Sequence, residues 1–468
     1  MRESQSEAPW CPRPDVHPSI PKPALILLLM STPLSQFPAN AQRDFAAETC
    51  AKLRTAGFDA LWAGGCVRDM VLGAAPKDYD VATSATPQQV IELFGKRRTV
   101  PVGVSFGVVM VLGPQQDCGQ IEVATFRSDG EYRDGRRPSS VTFCSAEEDA
   151  RRRDFTINGM FYDPVAEEVI DYVGGRADLQ AGIVRAIGDA TARFTEDKLR
   201  MLRAVRFAAT YGFKIEDSTR KAIYHLRCDL VQVSPERIAN ELRRMLAHHT
   251  RTASVESLFG VGLLEIIFQR VFGPHVENVC TPKNGTVDLI CNKLRYLEEA
   301  AFEPALAVLL QSRFTPEAAD SRNRTAEVRQ ECRALRLSNE ETDCVSWLLT
   351  AAAECADTRE LPLHRVKPLL ADRRSPLLLD LLNAAALGDN SQASDAAALR
   401  EYRDRVTAEF LNPPRLVDGT DLKALGLKAG PVFKQLLTTI RNEQLDEQFC
   451  NRSDALHRLR ELSDALNS

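Results

Sequence analysis

The sequence lacks the patterns that mark several protein classes. Its 12 cysteines are scattered singly, and no Cys-x-x-Cys pair occurs, which argues against a zinc knuckle and a disulfide framework. The longest apolar run, Ala24–Met30, has seven residues, far short of the roughly 20 that span a bilayer. Hydrophobic residues make up 44% and charged residues 26% of the chain, which is ordinary for folded proteins. We therefore expect a folded cytoplasmic protein with reduced thiols and no membrane partner.

The first 42 residues are predicted to be a disordered leader. They hold eight of the 25 prolines and show no periodic pattern. Two interpretations remain for Ala24–Met30, which is followed by Ala39-Asn40-Ala41. One is a secretion signal with its cleavage site, and the other is an upstream extension of a gene whose start codon encodes Met30. We favour the extension, because the chemistry inferred below needs nucleoside triphosphates.

Residues 43–185 have the pattern of a mixed α and β head. A helix is predicted over Asp44–Ala56, and β-branched strands over Val104–Leu112 and Gln120–Phe126. From about residue 194 the strand signals give way to helices, including Thr195–Tyr211 and Pro235–Leu246. The sequence thus predicts one mixed head followed by a long helical body.

A glycine turn and acidic residues form the first candidate site. Gly64 and Gly65 follow a short apolar strand, so their N–H groups can approach a phosphate, and Arg68 can add charge there. Asp78 and Asp80 are two residues apart, which on a strand places both carboxylates on one face, where a divalent cation neutralises them. A third carboxylate, Glu122, interrupts an apolar strand. It is either a further metal ligand or an edge residue facing water.

Two arginine-rich segments form the second and third candidate sites. Arg151–Arg153 is a candidate triphosphate clamp, and Asp154 could accept a hydrogen bond from a ribose hydroxyl. Asp197 and Arg200 are three apart, which on a helix places them side by side. They form either an ordinary surface ion pair or a base reader. A carboxylate and a guanidinium together complement the amino group and ring nitrogen of cytosine and adenine, but not uracil or guanine.

The charge is unevenly distributed along the chain. The whole chain has a net charge of −5. Between Arg193 and Arg251, however, 13 Lys and Arg stand against 7 Asp and Glu, a net charge of +6, which leaves −11 for the rest. A polyanion would therefore be expected to run along this one basic tract.

In their order and spacing these segments resemble the class II tRNA nucleotidyltransferase and bacterial poly(A) polymerase family, a branch of the polymerase β superfamily. Besides the motifs above, the resemblance rests on Arg153–Asn158 and on Glu236-Arg237, and it covers about residues 43–250. It implies an α+β fold with a polymerase-β-like head at 43–185. A helical neck at 186–272 would bind the base and RNA, and a helical body and tail at 273–468 would bind tRNA.

The resemblance also implies roles for individual residues. Asp78 and Asp80 would hold Mg²⁺, and Glu236-Arg237 would support the neck. Independently of the resemblance, the position of Glu122 on its apolar strand makes it a candidate for a further catalytic carboxylate. Two metal ions would assist attack of the tRNA 3′-hydroxyl on the α-phosphate of CTP or ATP, and no DNA partner is expected. The residues implied in nucleotide binding are Gly64, Gly65, Arg68, Arg153, Asp154, Asn158, Asp197, Arg200, Arg203 and Arg206.

Three segments favour addition of CCA, or of its terminal A, over poly(A) synthesis. Thr99–Gly107 resembles the tRNA-specific form, and Tyr132–Pro138 resembles a flexible loop of enzymes that add the terminal A. Gly419–Pro431 resembles a C-terminal tail element of CCA-adding enzymes, although a plain helix–turn–helix has the same pattern. A poly(A) polymerase of the same fold is the alternative, and a protein that adds only A within a two-enzyme system is another.

Overall fold

The structure is a computed structural model that describes residues 40–103, 106–130, 141–272, 284–311, 321–355, 361–389, 394–427 and 430–467. The described residues divide into two compact units. The first lies within 1–245 and 253–276, and the second within 246–252 and 277–468. The predicted head and nearly all of the predicted neck fall in the first unit. All but three residues of the predicted leader lie outside the described ranges.

The first unit is built around a seven-stranded mixed sheet. The strands of the chain are β1 (Ala60–Ala63), β2 (Asp80–Thr83), β3 (Thr99–Gly103), β4 (Val108–Leu112), β5 (Gln120–Thr125), β6 (Arg127–Asp129), β7 (Val141–Phe143), β8 (Phe161–Asp163), β9 (Glu168–Ile170), β10 (Ile183–Val184) and β11 (Lys214–Ile215). The main sheet has the order β3-β4-β5-β2-β1-β8-β9, in which only β2 and β5 are parallel neighbours. The pairs β6–β7 and β10–β11 form two small sheets.

Three helices of the head begin after a residue whose side chain caps their first N–H groups, namely Asn40, Thr86 and Ser145. The head helices are α1 (Ala41–Thr55), α2 (Gly65–Val71), α3 (Pro87–Phe94), α4 (Ala146–Arg151) and α5 (Gly175–Ala181). Helix α1 begins three residues before its predicted start, because the Asn40 side chain accepts the N–H of Arg43. The predicted capping box of α4 is confirmed, since the side chains of Ser145 and Glu148 each accept the other's backbone N–H.

The core of the head covers both faces of the sheet. Successive side chains of β1 point to opposite faces, so this strand contributes to the core on each side. Leu61 and Ala63 join a cluster with Phe126 and Phe161. Trp62 points to the other face, fully buried, with its ring 4.8 Å from that of Tyr79. Helix α1 packs against β1 and β2, and α3 packs against β4 and β5. Burial of this apolar surface holds the strands that carry the acidic residues.

The neck consists of helices α6 (Ala190–Glu196), α7 (Leu199–Tyr211), α8 (Asp217–Leu226), α9 (Pro235–Leu246), α10 (Arg251–Gly260) and α11 (Leu263–Phe272). The prediction of one helix over Thr195–Tyr211 is wrong. Asp197 has an extended backbone, with φ −143° and ψ 104°, and it separates α6 from α7. Its carboxylate accepts the N–H of Leu199, which starts α7 as a new helix.

The regular elements described in the second unit are all helices. Its helices, besides the residues of α9 and α10 that fall in it, are α12 (Asn284–Tyr296), α13 (Phe302–Gln311), α14 (Ser321–Ala334), α15 (Asn339–Cys355), α16 (Leu363–Ala371), α17 (Ser375–Gly388), α18 (Ser394–Arg405), α19 (Ala408–Leu411), α20 (Gly419–Ala424), α21 (Pro431–Leu445) and α22 (Arg452–Asn467). Arg251 donates to the carbonyls of Leu294, Leu297 and Glu299 at the end of α12. Leu422, Leu436 and Leu459 belong to the core of α20–α22. Among the described helices, none combines the length and the apolar character needed to cross a bilayer.

Candidate active site

One end of the main sheet gathers the acidic residues. Ala63, the last residue of β1, pairs with Asp80, the first of β2. Asp80 in turn pairs with Glu122 of the parallel strand β5. Partners in register project to the same face of a sheet. The glycine turn after β1 and these two carboxylates therefore lie at one end of the sheet.

Asp78 lies in a bend before β2 and not on the strand. The prediction that strand alternation places Asp78 and Asp80 on one face is therefore wrong. The reason is that β1 ends at Ala63, so residues before Asp80 have no partner strand on that side. The charge of Asp78 nevertheless acts on Asp80, whose pKa it helps to raise.

Asp80 carries the clearest electrostatic signature of this sheet end. Its side chain keeps contact with solvent. Even so, loss of hydration, followed by repulsion from Glu122 and Asp78, raises its pKa to about 7. Arg153 pulls this pKa down but does not offset the other effects. The charges of Glu122 and Asp78 therefore oppose the ionisation of Asp80, and a bound cation would relieve that repulsion.

The donor set fits a hard divalent cation shared with a substrate. Carboxylate oxygens are the ligands that such ions prefer, and Mg²⁺ is often held by one or two carboxylates plus substrate phosphates. Among the described residues, no group of three or more His, Cys, Asp or Glu side chains is itself placed to hold a metal ion. Asp78 and Asp80 could therefore hold the metal together with the phosphates of a nucleotide. Glu122 is aligned with Asp80 across the strands.

The glycine turn is shaped to bring an arginine close to the backbone. Gly64 has φ +74° and precedes α2, a conformation that favours glycine. A Cβ on Gly64 would lie 3.2 Å from Nη1 of Arg153. Gly65, the next residue, begins α2. Nη1 of Arg153 therefore lies close to the Gly64–Gly65 turn.

One buried carboxylate binds two of the three arginines of the segment Arg151–Arg153. Asp149 is 1% exposed and accepts hydrogen bonds from both Arg152 and Arg153, at donor–acceptor distances between 2.6 and 3.2 Å. Burial alone would raise the pKa of Asp149, but the two guanidinium groups outweigh that effect and lower it. Arg151, by contrast, pairs with Glu147 on the exposed surface.

Arg68 connects the head to the neck. Its Nη1 donates to Oδ1 of Asn158 over 2.6 Å, and its Nε and Nη2 contact Asp69. Its guanidinium also lies 4.7 Å from the ring centre of Tyr211 on α7. Arg68 is buried. A phosphate could therefore bind only to those N–H groups of its guanidinium that these contacts do not use.

Asp154 is also engaged with the neck. Its Oδ1 accepts the N–H of Phe155 and the side-chain amide of Asn158, and its Oδ2 accepts two N–H groups of Arg203. A carboxylate offers about four acceptor positions, so a ribose hydroxyl would have to replace one of these donors. Arg206 pairs with the buried Glu241 over 2.6 Å.

Asp197 and Arg200 do not form the helical i,i+3 pair that their spacing predicts, because the helix breaks at Asp197. Arg237 instead donates two hydrogen bonds to the carboxylate of Asp197, at 3.1 and 2.8 Å. This contact joins α9 to the break between α6 and α7. Arg200 donates to Glu196 over 2.6 Å and to the carbonyls of Arg193 and Arg152. The alternative of a simple ion pair between Asp197 and Arg200 is therefore wrong.

Several predicted segments fall partly or wholly outside the described residues. The loop Tyr132–Pro138 lies wholly outside, as do residues 104 and 105 of the segment Thr99–Gly107. Within that segment, Gly107 has φ +82° and its carbonyl accepts the N–H of Thr125. The tail segment Gly419–Pro431 contains the short helix α20, whose first turn is closed by a capping box of Asp418 and Asp421.

Sequence reasoning missed Asp149 and Glu241 as partners of the site arginines. Asp149 precedes Arg152 and Arg153 by three and four residues, the spacing of side-chain neighbours on a helix, so the signal was present in the sequence. Glu241 lies 35 residues from Arg206, and no local pattern connects them.

Comparison with known proteins identifies relatives of this architecture. Residues 60–185 match a family model described as "Poly A polymerase head domain". Residues 212–278 match one described as "Probable RNA and SrmB- binding site of polymerase A". The first match contains Gly64, Asp80, Glu122 and Arg153, which form the sheet end described above.

Curated relatives and a solved structure agree with these matches. A CCA-adding enzyme of Leuconostoc mesenteroides is 44% identical over 231 residues, which are 48% of this chain and 54% of that enzyme. The chain spans about half the length of the first relatives that it matches. A crystal structure of the Bacillus stearothermophilus CCA-adding enzyme in complex with CTP is 28% identical, with a TM-score of 0.72, over 90% of this chain and 98% of that one.

A longer match decides the family. The CCA-adding enzyme of Enterococcus faecalis is 37% identical over 313 residues, which are 65% of this chain and 69% of that enzyme. With this coverage, and with the head-domain match over the acidic sheet end, the chain belongs to the nucleotidyltransferase family with a poly(A) polymerase head domain that includes the CCA-adding enzymes.

Proposed function

We propose that this protein adds CCA, or its terminal A, to the 3′ end of tRNA from CTP and ATP, releasing pyrophosphate. The observation that carries the proposal is the sheet end at which Asp80 and Glu122 are in register beside the Gly64 turn and Arg153. The resemblance to a CCA-adding enzyme in complex with CTP supports this choice of substrate. The names of the relatives favour CCA addition over poly(A) synthesis.

The residues of the head would bind the triphosphate. Arg153 lies over the Gly64–Gly65 turn, so the backbone N–H groups and the guanidinium can face the same phosphates. Asp78 and Asp80 would hold Mg²⁺ with the phosphate oxygens, and Glu122 would add negative charge beside them. Two Mg²⁺ ions bound there supply neutralisation of the phosphates and a lowered pKa of the attacking 3′-hydroxyl. Positioning by Arg153 and the glycine turn accounts for the protein's own share of catalysis.

The neck would select the base. Arg237 and the N–H of Leu199 occupy three of the acceptor positions of Asp197, which leaves one on Oδ2. Within the described chain, Arg200 keeps its Nε and one hydrogen of Nη2 for a further acceptor. The amino group of cytosine or adenine would donate to Asp197, and the ring nitrogen would accept from Arg200. Uracil and guanine would leave both groups unsatisfied.

The function is tested by offering the purified protein three tRNAs, which end at the discriminator base, at CC and at CCA. CTP and ATP are supplied, and the product length is measured on a denaturing gel. Extension of the first tRNA by three nucleotides and of the second by one, with no change in the third, supports CCA addition. Extension of the second alone identifies an enzyme that adds only A. Long A tails on all three would contradict the proposal and identify a poly(A) polymerase.

Arg200→Ala is expected to impair the choice of nucleotide more than the rate of transfer. Removing one complementary contact should cut the preference for CTP and ATP over UTP and GTP by about tenfold or more. The measurement is incorporation from an equimolar mixture of the four triphosphates. Arg220→Ala is the control, because Arg220 is half exposed and, within the described part of the chain, its one ion pair is with Asp217 at 3.7 Å. Unchanged selectivity in Arg200→Ala would refute the role of Arg200 in base selection.

A further inference from the structure

Asp149 divides its two carboxylate oxygens between two arginines. Its Oδ1 accepts from Nε and Nη2 of Arg152, at 2.9 and 2.6 Å, and also from the backbone N–H of Arg127. Its Oδ2 accepts from Nε and Nη2 of Arg153, at 3.2 and 2.9 Å. One buried group thus fixes the orientation of two neighbouring guanidinium planes.

The contact with Asp149 determines which edge of Arg153 is left for a ligand. Nε and Nη2 face Asp149, so Nη1 is directed to the glycine turn, 3.2 Å from the position of a Cβ on Gly64. The guanidinium lies 4.9 Å from the ring centre of Phe161, which restricts it from another side. Among the described residues, Nη1 makes no hydrogen bond or ion pair. The free edge of Arg153 therefore faces the place where the acidic sheet end and the glycine turn meet.

The other carboxylate oxygen of Asp149, Oδ1, acts through Arg152 on a different part of the site. Arg152, held on Oδ1, also donates from Nε to the carbonyl of Arg127. The backbone carbonyl of Arg152 accepts from Arg193 and Arg200 of the neck, at 3.3 and 3.4 Å. The two oxygens of Asp149 thus support separate parts of the site, which makes their contributions separable by substitution.

We propose that Asp149 is the positioning residue for triphosphate recognition, and that it acts by holding the Nη1 edge of Arg153 toward the phosphates of the incoming nucleotide. The inference rests on the proposed function, since it takes a nucleoside triphosphate as the ligand of Arg153. An arginine side chain has several rotatable bonds, and holding it in place before binding removes the entropy cost of ordering it. Asp149 itself does not touch the nucleotide.

The test compares the binding of ATP and AMP by calorimetry in the presence of Mg²⁺. Asp149→Asn keeps the shape of the side chain but removes its charge and turns one acceptor into a donor. It should weaken ATP binding about tenfold, the loss expected for a misdirected charged hydrogen bond, while AMP binding stays within about twofold. In steady-state assays the same variant should raise KM for ATP more than it lowers kcat. Equal weakening of ATP and AMP would overturn the proposal, because it indicates a merely structural role.

A double-mutant cycle identifies the arginine through which Asp149 acts. In an Arg153→Ala background, Asp149→Asn should cause no further loss of ATP affinity, whereas in an Arg152→Ala background its full effect should remain. Additive losses in the Arg153→Ala background would also overturn the proposal. The matched control is Asp163→Asn, because Asp163 is a poorly exposed carboxylate of the head that binds Arg54 over 2.7 Å on β8. It should leave the ratio of ATP to AMP affinity unchanged.

A second variant covers the case in which Asp149→Asn does not fold. Asp149→Glu retains the charge but moves the carboxylate by one methylene, so it should misplace Arg153 and give the same selective loss of ATP. A wild-type ratio of ATP to AMP affinity in this variant would overturn the proposal.

Failure of the proposed function and failure of this inference give different results. If the wild type binds ATP more tightly than AMP and the cycle is non-additive, but no tRNA is extended, the proposed function fails and the inference holds. If tRNA is extended and the cycle is additive, the inference alone fails.

Discussion

Asp80→Asn is expected to lower nucleotide incorporation at least about a thousandfold, which corresponds to several kcal/mol of lost transition-state stabilisation at a metal site. The reason is that Asp80 begins β2 at the acidic end of the sheet, beside Glu122 and near Asp78. The measurement is single-turnover addition of labelled AMP to a tRNA that ends in CC. Asp59→Asn is the control, because Asp59 is exposed and precedes β1 at the opposite end of the sheet. Near-normal incorporation by Asp80→Asn would contradict the metal assignment.

The same substitution is expected to stabilise the metal-free fold. The pKa of Asp80 is raised from 3.8 to about 7, so the folded protein binds this proton more tightly than the unfolded chain does. Ionisation therefore destabilises the fold progressively as the pH rises from about 4 to 7. In EDTA, Asp80→Asn should raise the melting temperature at pH 8 and raise it much less at pH 5. An equal change at both pH values would show that repulsion among the carboxylates is not the cause.

Asp154→Ala is expected to lower the free energy of unfolding by about 3 kcal/mol, because it leaves the guanidinium of Arg203 without its partner at a poorly solvated site. Asp154 is held by four hydrogen bonds, and only 10% of its side chain is exposed. The measurement is urea unfolding at pH 7. Asp217→Ala, at a side chain that is 83% exposed, is the control and should have no measurable effect.

Two further measurements separate the ion pair from packing in this prediction. Asp154→Ala combined with Arg203→Met should be less destabilising than Asp154→Ala alone, because the unpaired charge is gone. Burial alone would raise the pKa of Asp154, but Arg203 outweighs it and lowers the pKa. The contribution of Asp154 is therefore complete above its ordinary pKa near 3.8 and is lost as the pH falls below that value. If Asp154→Ala lost as much unfolding free energy in acid as the wild type does, this role for Asp154 would be contradicted.

The local elements were predictable because their signals lie within a few residues. Ser145 and Glu148 form the capping box that their spacing predicts, and the β-branched stretch Gln120–Phe126 located β5 within one residue. The position of β4 was less predictable. Its apolar run begins at Val104, but the strand begins only at Val108, after Gly107 with its positive φ. A run of β-branched residues does not show where a turn interrupts it.

The assembly of the site was not predictable from local patterns, because its contacts join distant parts of the chain. Arg68 and Asn158 are 90 residues apart, and Asp197 and Arg237 are 40 apart. The spacing of Asp197 and Arg200 favoured a direct pair on one helix. The extended backbone at Asp197 prevented that pair, and each residue found a different partner. Motif order suggested which residues to consider, and only the tertiary structure shows which of them are in contact.

The carbonyl of Arg152 has a consequence for engineering nucleotide preference. This carbonyl accepts hydrogen bonds from the side chains of both Arg193 and Arg200. The group of the head that binds these two neck arginines is therefore part of the main chain. No side-chain replacement at position 152 deletes that acceptor, as long as the backbone keeps its path. Libraries that randomise positions 193 and 200 can therefore be built without a compensating change at their shared anchor. A new donor at either position would find the same oxygen in place, whereas a side chain without a donor would leave one hydrogen bond of this carbonyl unmade.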